Sequence, residues 1–166
     1  MSIASHARPH SSPSTRSARS SSVCLPPESW FREPAPEPTV RLELHTDPGE
    51  NPVAGAWWPW NRDLAAQAPA LLTAVGAAFR SSVVHLVYDR ASWSPVPHRL
   101  PIGGGYVKAG WFDLQDPHQV SLRMYDGHRV VLLVVPPEAG RRTALRAMHQ
   151  AADPYNRLGP AQILPR

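Results

Sequence analysis

The chain has 166 residues, 42% hydrophobic and 18% charged, with 20 prolines and one cysteine, Cys24. That suffices for one domain with a real core plus a tail. It excludes an intramolecular disulfide, and no apolar run is long enough to span a bilayer. The net charge of +4 is spread out: residues 1–38 hold four arginines against three glutamates, and the remainder holds 13 basic against 10 acidic side chains. A nucleic-acid reader usually shows a concentrated basic patch, and the sequence has no such block. Lys108 is the only lysine, so the arginines read as the bias of a GC-rich genome.

Residues 1–38 are rich in Ser, Pro and Arg, then Pro and Glu, and are expected to be a disordered tail. Its arginines are followed by no apolar segment, so it does not read as a signal peptide, and the expected location is the cytoplasm. Val40 to Leu44 alternates apolar and charged residues, the pattern of a half-buried strand. Gly55-Ala56-Trp57-Trp58-Pro59-Trp60 leads into a helix, with Asn61 as N-cap and Asp63 in the first turn. Leu64, Ala68, Leu71, Leu72, Val75 and Phe79 keep helical spacing across Pro69, which predicts a kink or a second helix start.

Ser82 to Tyr88 is β-branched and predicts a strand, with Val83, His85 and Val87 on one face. Asp89 to Leu100 carries Pro95 and Pro97 and reads as loop. Tyr106 to Phe112 predicts another strand. Asp126-Gly127 predicts a two-residue hairpin turn between Val120–Tyr125 and His128–Val135. That turn sets Leu122 opposite Val131 and Val120 opposite Leu133. The second strand is apolar on both faces, which predicts a central place for it. Glu138 to Ala152 predicts a helix, stopped by Asp153-Pro154. The expected organisation is a tail over 1–38, a single α+β domain over 39–156 and a C-terminal tail over 157–166. The expected sheet is antiparallel or mixed, of five to six strands, with two helices packed on it.

Chemistry has few candidates. The eight histidines show no metal-ligand spacing and no cysteine pair exists, so no metal and no cofactor are expected. No nucleophile elbow or phosphate loop is present. Trp57 and Trp58 read either as a clamp fixing the helix entry or as the aromatic wall of a binding surface. Asp116-Pro117-His118 reads either as ordinary turn chemistry or as an acid–base pair.

The motifs Gly55-Ala56-Trp57-Trp58-Pro59, Arg62-Asp63-Leu64, Gln115-Asp116-Pro117-His118, Leu132-Leu133-Val134-Val135-Pro136-Pro137 and Ala151-Ala152-Asp153-Pro154 occur in that order. In this the chain resembles an actinobacterial family of small uncharacterised proteins, over roughly residues 40–156. The resemblance implies soluble cytoplasmic character and brings no activity or cofactor. Its motifs fall on the two clusters already singled out. The first expectation is therefore a non-catalytic binding or regulatory module for a small molecule or a protein, away from membranes. Its surface is Trp57, Trp58, Arg62, Asp63, Asp116 and His118. The second is a small enzyme with His118 as general base, oriented by Asp116 or Asp63, and Arg62 holding an anionic substrate. Nucleic-acid binding through arginines and exposed tryptophans ranks last.

Overall fold

The computed structural model describes residues 40–46, 51–111 and 116–164; the expected N-terminal tail lies outside them. The elements are β1 (Leu42–Leu44), β2 (Gly55–Trp57), α1 (Leu64–Phe79), β3 (Val83–Tyr88), β4 (Arg99–Ile102), β5 (Gly105–Trp111), β6 (Gln119–Met124), β7 (Arg129–Val134), α2 (Arg141–Ala151) and α3 (Pro160–Ile163). The fold is α+β, and the strands form one seven-stranded mixed sheet in the order β1-β2-β7-β6-β3-β5-β4. β2 runs parallel to β7, and β3 to β5; the other neighbours are antiparallel.

The sheet is larger than the five to six strands expected, and three helices replace two. The additional strands are β2 and β4. β2 was expected to be only the approach to a helix, but Gly55 permits pairing. Its φ is +149°, and a Cβ there would stand 2.1 Å from the Glu43 carbonyl oxygen. Only glycine allows that approach. β4 follows the proline-rich loop and itself contains Pro101; it is tolerated because it lies at the sheet edge. α3 lies beyond Pro154, and Leu164 after it is buried with α2.

α1 runs unbroken through Pro69. Its N-cap is Asp63 rather than Asn61: the Asp63 carboxylate accepts from the Ala66 N–H at 3.0 Å. Asn61 instead accepts from the Asp63 N–H. The apolar stripe Leu64, Ala68, Leu71, Leu72 and Val75 is buried on one sheet face with Leu86, Leu100, Leu122 and Leu132. Each buried Leu or Val among them contributes roughly 1.5–3 kcal/mol. α2 presents Ala144, Ala147, Met148 and Ala151 to the opposite face, with Ala56, Trp58, Leu133 and Val135.

Two local irregularities set which side chains face which way. The hairpin has three loop residues, Tyr125 to Gly127, closed by Met124 N–H donating to the His128 carbonyl at 2.8 Å. Gly127 takes φ +91°, as the glycine of such a three-residue loop does. The register is therefore one residue off the expected one: Leu122 faces Val130, Val120 faces Leu132, and Arg123 faces Arg129. A one-residue slip exchanges the faces of a strand. Val130, Leu132 and Val134 accordingly join α1, whereas Val131, Leu133 and Val135 point to the α2 side. The second irregularity is a bulge between Val83 and His85. It sends Val83 into the α1 core while His85 remains on the other face. The middle strand is β6, not β7, although β7 is covered on both faces.

Candidate functional site

The six residues singled out by sequence do not form one surface. Trp57 is buried on the α1 side and stacks on Trp93, with ring centroids 5.1 Å apart and planes 12° apart. Trp58, one residue on, points to the α2 side. Its ring carries the Arg41 guanidinium at 3.6 Å, and Trp60 holds the same group at 3.9 Å. Arg41 also donates to the carbonyls of Trp58 and Pro59. Burial holds the Arg41 pKa below its ordinary value. The tryptophans thus clamp the entry to α1 from both faces of the sheet.

Asp63 caps α1, and Asp116 accepts from the His118 backbone N–H at 2.9 Å, a turn contact. Arg62 forks onto Glu138 at 2.8 and 3.0 Å and donates to the Ser92 carbonyl at 3.1 Å. Those hydrogen bonds from Arg62 hold the Glu138 carboxyl below the usual range. Arg62 and His118 do share a cleft, with Ser92, Trp93, Pro136 and Pro137, of about 80 Å³. The structure therefore brings Arg62 and His118 together beside Trp93 and leaves Trp58 on the other face of the sheet. Among the described residues, no group of three or more His, Cys, Asp or Glu is placed to hold a metal ion.

A different surface emerges from the sheet itself. Away from α1, helix α2 packs over the β1-β2-β7 end, with α3 against it. Across the remaining strands, register places side chains in rows. Arg99 faces Lys108, Lys108 faces His85, His85 faces Arg123, and Arg123 faces Arg129. Paired residues project to the same face. The neighbours Leu100, Val107, Leu86, Leu122 and Val130 all go into the α1 core, so this row points away from it. The row crosses five strands, roughly 19 Å at the usual inter-strand spacing. It contains every Arg, Lys and His of β3 to β7, and those strands contain no Asp or Glu.

Local contacts shape the row. The His85 imidazole packs beside Gly110, with Nε2 3.4 Å from where a Cβ there would stand. Arg129 donates to the Ser121 hydroxyl at 2.9 Å. Arg99 lies over the Tyr106 ring, 4.6 Å from its centroid, and Tyr106 is 52% exposed. A hollow of about 400 Å³ opens among His85, Val87, Ser121, Arg123 and Arg129. Among the described residues, none of the row's cations forms an ion pair with a carboxylate. The hairpin's own acid, Asp126, is turned to His128, whose backbone N–H lowers its pKa. Two pairs of like charges stand directly opposite one another, Arg99–Lys108 and Arg123–Arg129, an arrangement that destabilises a sheet.

Sequence reasoning missed this row because its members are far apart in the chain and its Arg123–Arg129 link depends on the slipped hairpin. The one available signal was that the strand segments carry basic residues and no acids.

No curated protein and no solved structure matches the chain. A family model described as a family of unknown function, DUF5994, matches residues 41–151.

Proposed function

The chain belongs to this family of unknown function, and we propose that it is a non-catalytic binding module that takes an anionic ligand on the open half of its sheet. One observation carries the reading: all the basic residues of five strands stand in one row, with no acid among those strands. Like charges placed face to face cost stability, and an anion across them reverses that cost. The surface proposed is this basic face rather than a tryptophan-lined one, because Trp57 and Trp58 are committed to the core. The proposed setting is the cytoplasm of an actinobacterium, supported by the single cysteine and the preference for arginine over lysine.

A catalytic reading centred on His118 has less support. Its cleft of about 80 Å³ is far below the roughly 300–1,000 Å³ of ligand pockets. The Arg62 fork that would hold a substrate is filled by Glu138.

Calorimetric titration of the full chain with heparin, a generic polyanion, tests the reading. The expected result is binding that weakens with salt and falls about tenfold or more in a Lys108→Gln/Arg123→Gln variant, a loss of ~1.4 kcal/mol. Arg62→Gln is expected to leave it unchanged. Absence of binding, or an equal loss from Arg62→Gln, would contradict it.

A further inference from the structure

We infer that the anion is a single strand of nucleic acid lying across the sheet, its phosphates on the basic row and a base on Tyr106. The inference rests on the anionic reading above and names the occupant of that same face. The length of the row is the first argument. One phosphoryl group is satisfied by two or three donors, whereas this row offers cations over roughly 19 Å. That fits a chain of charges rather than one.

The second argument is Tyr106. Lys108 lies two residues along β5 and shares its face. Arg99 covers part of the Tyr106 ring while about half of the residue remains exposed, so an aromatic plane stands free at the end of the row. Single strands are bound by this combination: a basic track for the backbone and aromatic rings on which unpaired bases stack. An open sheet face carrying an aromatic is one of the platforms that serve it. An acidic peptide would use the cations and leave the ring idle. Trp57, Trp58 and Trp60 do not take part: the first two are buried, and Arg41 lies over the rings of the last two.

The test is fluorescence anisotropy of a short labelled oligouridylate, and in parallel oligothymidylate, titrated with the full chain at several salt concentrations. For four phosphate contacts on a single strand, the slope of log K against log salt is expected near −2.8. Lys108→Gln and Arg123→Gln are each expected to make that slope shallower by about 0.7, with the thermal transition retained. Tyr106→Ala is expected to weaken binding roughly 5- to 150-fold without changing the slope. A preference for either oligonucleotide identifies the sugar, and both outcomes support the proposal. Heparin binding without oligonucleotide binding overturns this occupant and leaves the anionic reading standing. Binding of neither overturns both. Binding indifferent to Tyr106→Ala, equal for a duplex, or retained in Lys108→Gln/Arg123→Gln also overturns the inference.

Discussion

The sheet face turned away from α1 has two halves built by the same alternation and left in opposite environments. Over β2 and β7 the outward positions are Ala56, Leu133 and Val135, and the small residues Ala144, Ala147 and Ala151 bring α2 close against them. On β6, β3, β5 and β4, and at the first residue of β7, the outward positions are Arg123, His85, Lys108, Arg99 and Arg129, whereas α2 packs against Leu133, Val135, β2 and β1. One half buries apolar area and supplies stability. The other carries like charges face to face, pairs that oppose stability. A half-sheet that lowers stability while remaining open is where function is to be sought.

This comparison can be broken by substitution. The largest effect is expected in the covered half. Leu133→Ala, at a position with no exposure, is expected to cost about 2–5 kcal/mol in urea unfolding. In the layer beneath, the buried Tyr88 hydroxyl donates to the Pro97 carbonyl at 2.9 Å. Tyr88→Phe leaves that carbonyl unpaired and is expected to cost about 1–3 kcal/mol. The Tyr88 phenol is pushed up to about 12, mainly by burial, with the Arg90 charge opposing. A raised folded pKa means this stabilising contribution is complete below the unfolded value near 10. It is lost as pH rises from there through 12, so the alkaline decline in stability is expected to be shallower in Tyr88→Phe. Asp63→Ala removes the α1 cap and is expected to cost about 1 kcal/mol, measured the same way. The smallest effect belongs to the open half: Arg123→Gln is expected to change stability by no more than about 0.5 kcal/mol, or to raise it slightly. A loss as large as that of Leu133→Ala would place Arg123 among structural residues and erase the distinction.

Much of the buried core was legible in the sequence. The apolar stripe from Leu64 to Val75, the strand at Val83–Tyr88 and the doubly apolar 130–135 segment are all local patterns, and local patterns are what periodicity reads. The open half was hidden because its meaning lies in register. Asp126-Gly127 suggested a two-residue turn, but Tyr125 enters the loop as a third residue. That single residue turns the expected Arg123–Val130 pairing into Arg123–Arg129. The bulge after Val83 has no local marker, and it takes Val83 into the α1 core, away from the face that His85 shares with Lys108 and Arg123. Arg99 stood in a stretch that two prolines made look like loop, though it begins an edge strand. The sequence-derived site fared differently. Its Asp63 and Asp116 are common capping and turn residues, and they serve those roles. Only Arg62 and His118 meet.

The measurement that bears most directly on the open half is amide chemical-shift mapping of the isotope-labelled full chain during titration with inorganic polyphosphate. The largest shifts are expected at His85, Lys108, Arg123 and Arg129 and their row neighbours, with Ala144 to Ala151 of α2 and the Arg62–His118 cleft unmoved. Shifts concentrated at Arg62 and His118, or absent from β3 and β6, would contradict the anionic reading.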